Sequence, residues 1–150
     1  RGGGAVSESD GVAGHIDILL VEDNPGDVRL TELALEEVGI SHDLQVVEDG
    51  KAAVDHLQGS QADREPDLVL LDLDLPRLHG TEVLEELKSD PDLRRLPVIV
   101  LTSSTADADV RASYDRHANA YVEKPADVDD FVEVARQIQR FWLSTVKLPP

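Results

Sequence analysis

Residues 68–72 read Leu-Val-Leu-Leu-Asp, four aliphatic residues that end on an aspartate. A short run that is apolar at every position is typical of a parallel β-strand buried on both faces. Three similar runs also end on polar residues: 18–23, Ile-Leu-Leu-Val-Glu-Asp; 98–102, Val-Ile-Val-Leu-Thr; and 120–125, Ala-Tyr-Val-Glu-Lys-Pro. The polar residues are therefore expected at the carboxyl ends of strands, where open α/β sheets bind ligands.

A fifth strand and five helices complete the predicted fold. Residues 44–47 are typical of a shorter edge strand with one wetter face. Strand and helix alternate five times, which predicts an α/β fold: a flavodoxin-like, doubly wound, five-stranded parallel sheet with helices on both faces. Its strand order of 2-1-3-4-5 would place Asp23 and Asp72 at the switch point between strands one and three.

Capping residues mark the predicted helix boundaries. Asn24 predicts the start of the first helix, with Asp27 in its first turn, and Gly39 predicts its end. Thr81 is expected to cap the third helix, and Asp127 to open the fifth. The fourth helix is rich in Ala and Asp, and we expect it to bury little.

The length of 150 residues fits one domain, large enough to bury a core without disulfides or metal ions. Residues 1–15 contain five glycines and no periodicity, which predicts a flexible leader. The folded domain is expected at 16–145. A short tail at 146–150 then leaves no effector domain.

The charge of the chain disfavours some classes of function. The formal net charge is −17, from 31 acidic and 14 basic residues, and Cys is absent. Few Lys and Arg side chains are available to contact phosphates, so nucleic-acid binding is disfavoured. No segment approaches the roughly 20 apolar residues of a membrane span, which favours a cytoplasmic protein. The acidic excess suggests adaptation to concentrated salt, with an ordinary acidic cytoplasmic domain as the alternative.

Three carboxylates are predicted to meet at the edge of the sheet. Glu22, Asp23 and Asp72 would repel one another unless a cation compensates them, and oxygen ligands without nearby Cys or His suit Mg²⁺. We expect Asp23 and Asp72 to bind the ion directly, together with the Leu73 carbonyl. Glu22 is expected to bind it through water.

Lys124 and Thr102 would supply the remaining groups for phosphoryl transfer. The ammonium can neutralise one phosphoryl oxygen, and the hydroxyl can donate a hydrogen bond to another. Asp72 lies on the central strand and is the expected acceptor, which would form an aspartyl phosphate. Singly, these residues have ordinary alternatives as helix caps or a surface ion pair. Their joint occurrence at the strand ends favours the phosphoryl-transfer hypothesis.

Over about residues 15–145 the chain resembles the receiver domain of two-component response regulators. The matching residues are Glu22, Asp23, Asp72 with Pro76 and Gly80 after it, Thr102, Tyr121 and Lys124-Pro125. The resemblance implies that Asp72 accepts the phosphoryl group of a sensor kinase phosphohistidine, with Mg²⁺ essential. It also implies that Thr102 moves toward the phosphate, that Tyr121 swings from an outward to an inward rotamer, and that the Lys124-Pro125 bond is cis.

The added charge at Asp72 would attract Lys124 and the Thr102 hydroxyl and so bias a two-state element. We expect the fourth helix, fifth strand and fifth helix to form the output surface. Asp74 and Ser104 occupy positions that in receivers tune how water reaches the acyl phosphate, so their substitution should change the dephosphorylation rate. For Tyr121, simple packing within the fifth strand is the alternative to a role as a switch.

The partners are also implied by resemblance. The stretch 22–27, Glu-Asp-Asn-Pro-Gly-Asp, and the Phe141-Trp142 ending resemble single-domain regulators that serve phytochrome-type histidine kinases. Without an effector domain, the output would pass to a downstream protein or a phosphorelay partner. Phe141, Trp142, Val146 and Leu148 either form a homodimer surface or pack internally.

Two rival functions fit part of the pattern. Asp72-Leu73-Asp74 resembles the Asp-x-Asp motif of phosphohydrolases with an Asp nucleophile, although those proteins place the motif on their first strand. The second rival is a binding module that has lost phosphorylation and signals by shape alone, but every phosphorylation residue is present. The chain is therefore predicted to be a phosphoacceptor and not an enzyme, apart from self-catalysed phosphorylation and dephosphorylation.

Overall fold

The computed structural model describes residues 15–59, 65–104, 106–125 and 127–145, in which five strands alternate with five helices. The strands are β1 (Ile16–Val21), β2 (His42–Val47), β3 (Leu68–Leu71), β4 (Val98–Thr102) and β5 (Ala120–Glu123). The helices are α1 (Pro25–Val38), α2 (Gly50–Gln58), α3 (Gly80–Ser89), α4 (Asp107–Asp115) and α5 (Val128–Thr145). The predicted tail, and the predicted leader apart from its last residue, lie outside the described residues.

All five strands are parallel and form one sheet in the order β2-β1-β3-β4-β5. This confirms the predicted order 2-1-3-4-5. Val21 of β1 lies opposite Leu71 of β3, and the Asp72 N–H donates to the Val21 carbonyl at 3.0 Å. The residues that follow these two strands are therefore brought to one edge of the sheet.

Alternate residues of the strands pack into two hydrophobic cores, one on each face of the sheet. Leu19 and Val21 pack with residues of α2 and α3, whereas Ile18 and Leu20 pack with residues of α1 and α5. All four residues of Leu68–Leu71 are fully buried, which explains the wholly apolar sequence of β3. Helices on both faces give the three predicted layers.

The start of α1 agrees with its predicted capping. The Asn24 side chain accepts the N–H groups of Gly26 and Asp27, so the helix begins directly beyond the end of β1. Gly39 ends the helix with a φ of 82°, a left-handed conformation that glycine adopts without strain. The first turn of α1 therefore lies at the same edge of the sheet as the polar strand ends.

The start of α3 differs from the prediction. His79, and not Thr81, is the N-cap, because the His79 ring accepts the Thr81 N–H while the Glu82 carboxylate accepts the His79 N–H. A histidine ring nitrogen thus replaces the expected hydroxyl. α4 buries one side chain, that of Ser113, among the residues described, as its low hydrophobicity predicted.

No helix in the described part of the chain is long and apolar enough to cross a membrane. The side chains of Phe141 and Trp142 lie outside what the structure describes, as do residues 146–150. The two alternatives for this segment, a homodimer surface or an internal contact, therefore stay predictions.

Candidate functional site

Glu22, Asp23 and Asp72 converge at the carboxyl edge of β1 and β3. One carboxylate oxygen from each lies within 4.8 Å of the other two. Glu22 and Asp72 are buried, whereas Asp23 is exposed. Two ligands on opposite sides of a Mg²⁺ ion lie about 4.2 Å apart, so a small movement of the side chains would close this group around an ion. The three carboxylates therefore fit Mg²⁺.

Lys124 supplies the positive charge of the site. Its Nζ lies 2.5 Å from Glu22 Oε1, 2.8 Å from Asp27 Oδ2 and 3.1 Å from Asp72 Oδ2, and 8% of its side chain is exposed. An ammonium has three N–H donors, so each can meet one carboxylate. The Lys124 backbone N–H donates to the Thr102 carbonyl at 2.7 Å, which joins the ends of β4 and β5.

The pKa values of these groups reflect a competition between burial and ion pairing. Burial by itself would raise the pKa of Asp72, but the charge and hydrogen bond of Lys124 outweigh it and hold that pKa below its ordinary value. Burial raises the pKa of Glu22 to about 7, against the opposing hydrogen bond from Lys124. Burial also disfavours the charged lysine, but its bonds to Asp27 and Glu22 raise its pKa overall. At neutral pH Asp72 is therefore ionised and Lys124 is charged.

Thr102 is the last residue of β4, and its side chain is fully buried. Its hydroxyl helps to lower the pKa of Asp72 and accepts the Ser104 N–H at 3.4 Å. The predicted hydroxyl donor therefore lies at the same sheet edge as the predicted acceptor, on the neighbouring strand.

A chain of hydrogen bonds links β5 to α4. The half-buried Tyr121 side chain donates its hydroxyl to the Ser104 carbonyl at 2.8 Å, and the Ser104 hydroxyl donates to Asp109 Oδ2 at 2.5 Å. Asp74, the other predicted tuning residue, is exposed, and its N–H donates to Asp72 Oδ1 at 3.3 Å. Tyr121 and Ser104 thus contact each other, while Asp74 adjoins the acceptor.

Comparison with known protein families identifies the domain that carries this site. The response regulator receiver domain model matches residues 18–136. The chain belongs to this family. A curated relative, response regulator Rcp1 of Synechocystis sp. (strain ATCC 27184 / PCC 6803 / Kazusa), is 46% identical over 136 residues, which cover 88% of this chain and 92% of that protein.

Solved receiver structures share the fold. The phosphorylated cyanobacterial phytochrome response regulator RcpA has a TM-score of 0.81 and 45% identity, over 91% of this chain and 99% of that chain. The Mn²⁺-bound form of response regulator Rcp1 has a TM-score of 0.77 and 44% identity, over 90% of this chain and 99% of that chain. The receiver domain is thus similar both to a phosphorylated and to a metal-bound protein.

Two expected backbone features are not found in this receiver domain. The Leu73 carbonyl accepts the N–H groups of Gly80 and Leu75 at 2.9 and 3.0 Å, so both of its lone pairs are used and it does not fit as a metal ligand. The Lys124-Pro125 bond is trans, since no peptide bond between described residues is cis. The trans form is the intrinsically favoured isomer even before proline.

Asp27 is a site residue that the sequence analysis missed. Its position in the sequence predicts a place in the first turn of α1, but its carboxylate also pairs with Lys124. One signal in the sequence could have found it. A helix that starts directly after a strand places its first turn at the strand's carboxyl edge, so an acid there can reach the groups gathered at that edge.

Proposed function

We propose that this receiver domain accepts a phosphoryl group on Asp72 from the phosphohistidine of a sensor kinase, with Mg²⁺ bound at the three carboxylates. The observation that carries the proposal is the buried pair of Lys124 Nζ and Asp72 Oδ2, 3.1 Å apart beside those carboxylates. Apolar residues often stabilise a core as well as a buried ion pair does. A role in chemistry therefore explains the pair better than a role in stability.

Mg²⁺ would be held directly by Asp23 and Asp72, with Glu22 bound through water. When bound, the ion neutralises charge on phosphoryl oxygens and orients them. The Asp74 carbonyl accepts no backbone hydrogen bond from the described residues, so we propose it in place of Leu73 as the backbone ligand. The Mn²⁺-bound form of the relative Rcp1 supports a divalent ion in this family.

The transfer forms one bond and breaks one. A carboxylate oxygen of Asp72 attacks phosphorus, and the bond from phosphorus to the histidine nitrogen breaks, with its electron pair returning to the imidazole. The lowered pKa of Asp72 keeps this nucleophile ionised. Lys124 would bind one phosphoryl oxygen of the product, and the Thr102 hydroxyl would donate to another. Water would later hydrolyse the acyl phosphate and return the free Asp72 carboxylate and inorganic phosphate. We propose that the phosphoacceptor promotes both its own phosphorylation and its own dephosphorylation.

Thr102 and Tyr121 are the proposed switch residues. The phosphoryl group adds about two negative charges, which would draw the Thr102 hydroxyl away from the Ser104 N–H. Because Ser104 also contacts Tyr121 and Asp109, a change in this loop would reach β5 and α4. We propose α4, β5 and α5 as the output surface, with Asp74 and Ser104 tuning hydrolysis.

The proposed partners follow from the relatives. Because RcpA is a phytochrome response regulator, we propose a phytochrome-type histidine kinase as the phosphoryl donor. A downstream protein or a phosphorelay partner would receive the signal. The receiver domain, 16–145, would act in the cytoplasm, where ATP is available to phosphorylate the kinase. Its function would require neither nucleic acid nor a membrane.

Incubation with acetyl phosphate and Mg²⁺ tests this function. The wild type should gain one phosphoryl group in intact-protein mass spectrometry and lose it in alkali, as acyl phosphates do. Asp72→Asn should gain none, whereas Asp55→Asn, which neutralises an exposed carboxylate of α2, should be labelled like the wild type. Labelling of Asp72→Asn would contradict the acceptor assignment. Repeated turnover of a phosphate ester would support the phosphohydrolase alternative instead.

A further inference from the structure

Asp27 contacts the buried lysine from outside the group of three carboxylates. Its Oδ2 lies 2.8 Å from Lys124 Nζ, and its side chain is 26% exposed. The other partners of Lys124, Glu22 and Asp72, both belong to the group that fits a metal ion, but Asp27 does not. Among the described residues, Asp27 is thus the one partner of this lysine that has no other role in the proposed site.

The three N–H donors of the Lys124 ammonium face three carboxylate oxygens. A phosphoryl oxygen on Asp72 can be bound by Lys124 only if one of these contacts is released. Metal binding would engage Glu22 and Asp72, and phosphorylation would occupy Asp72. The ion would therefore compete with the ammonium for both carboxylates, and the phosphoryl group would compete for that of Asp72. Neither step engages Asp27, which lies outside the group of three carboxylates.

The backbone of Asp27 is held by the first turn of α1. Asn24 accepts the Asp27 N–H at 3.1 Å, and the Asp27 carbonyl accepts the Thr31 hydroxyl at 2.8 Å. A carboxylate in the first turn of a helix is also stabilised by the helix dipole. The Asp27 carboxylate therefore extends from a fixed point beside the strand ends.

We propose that Asp27 is a positioning residue for phosphoryl transfer: it retains the Lys124 ammonium at the sheet edge while the contacts with Glu22 and Asp72 are exchanged for contacts with the phosphoryl group. The inference rests on the proposed function and adds to it a residue that is neither acceptor, metal ligand nor switch. Loss of one charge-assisted hydrogen bond should slow the transfer by about tenfold.

A double-mutant cycle on phosphorylation by acetyl phosphate at saturating Mg²⁺ tests this role. Asp27→Asn should lower the maximal rate by about tenfold and change the dissociation constant for Mg²⁺ much less. In a Lys124→Ala background the same substitution should have no further effect, because Asp27 acts through the ammonium. Glu37→Gln removes an exposed carboxylate from the same helix and should leave the rate unchanged.

A charge-retaining variant separates positioning from folding. Asp27→Glu should keep more of the rate than Asp27→Asn, and thermal unfolding should show that each variant is folded in the assay. If Asp27→Asn does not fold, the cycle is run with Asp27→Glu, which should slow the transfer only when Lys124 is present.

Two outcomes would overturn the inference and leave the proposed function intact. One is an equal loss of rate in the wild-type and Lys124→Ala backgrounds, and the other is an unchanged rate on substitution of Asp27. If the wild type takes no label on Asp72, the proposed function fails and the inference fails with it.

Discussion

Two groups of potential metal ligands lie at opposite ends of β1, and they share their spacing but not their surroundings. The upper cluster consists of Glu22, Asp23 and Asp72, and the lower cluster of His15, Asp17 and Asp43. In both clusters the ligand atoms lie within 4.8 Å of one another. Distance alone therefore does not distinguish them.

Burial does distinguish them. In the lower cluster the His15 ring lies 3.4 Å from Asp17 and 3.2 Å from Asp43, and 52% and 82% of those carboxylate side chains are exposed. Water can solvate these charges, so such pairs contribute little. In the upper cluster, Glu22 and Asp72 are buried and share a buried lysine. Desolvated charge that needs compensation, and not proximity, therefore distinguishes the proposed site from the lower cluster.

Among the substitutions that test this comparison, removal of the Lys124 side chain should cause the largest loss of stability. Lys124→Ala leaves Glu22 and Asp72 buried without their partner, which costs about 3–5 kcal/mol of unfolding free energy. Mg²⁺ should restore much of this loss by replacing the missing charge, as urea denaturation at pH 8 with and without Mg²⁺ would measure. Lys51→Ala, which removes an exposed lysine beside Asp55, is the control and should change little. A loss below about 1 kcal/mol for Lys124→Ala would mean that water solvates the upper cluster as well.

The sheet and the upper cluster could be predicted because each depends on one property of the sequence. Wholly apolar runs identify buried parallel strands, and parallel strands share a carboxyl edge. Asp23 and Asp72 follow two such runs, so their convergence requires only the strand order. The same logic placed Thr102 and Lys124 at that edge without any knowledge of side-chain packing.

The contacts that were missed depend on details that strand patterns do not carry. Asp27 and Lys124 are 97 residues apart, and their contact depends on the reach of two side chains across the edge. The Leu73 carbonyl is used by the loop that follows it, where a Cβ on Gly80 would lie 2.6 Å from Leu73 Cα. The path of this loop brings the Gly80 backbone against Leu73, where the Gly80 N–H donates to the Leu73 carbonyl, and no strand pattern predicts that path.

A change of pH should have a smaller effect on stability, and this effect should come from Glu22 in the upper cluster. The pKa of Glu22 is about 7 in the folded protein against an ordinary 4.5, so between these values the folded state binds more protons than the unfolded chain. The stabilisation from this group is full below pH 4.5 and is lost as the pH rises through 7, with a slope of at most about 1.4 kcal/mol per pH unit.

Comparison with Glu22→Gln isolates this group from other titrating residues. Urea denaturation across the same pH range should show that the stability of the wild type, relative to the variant, falls as the pH rises. Asp72 does not contribute to this pH dependence, because its pKa is lowered and it therefore stays ionised while Glu22 titrates. A difference that stays constant with pH would mean that Glu22 ionises as a solvated carboxylate does.

Substitution in the lower cluster should have the smallest effect on stability. Two variants at exposed carboxylates, one in each cluster, test whether the neighbouring groups and not exposure decide the response to Mg²⁺. Asp23 and Asp43 are both exposed, but Asp23 adjoins two buried carboxylates and Asp43 does not. Asp43→Asn should change stability by less than about 0.5 kcal/mol and leave the Mg²⁺-dependent rise in melting temperature unchanged. Asp23→Asn should reduce that rise, because it removes a proposed Mg²⁺ ligand from the upper cluster. If both substitutions reduced it equally, spacing alone would define a metal site and the contrast between the two clusters would fail.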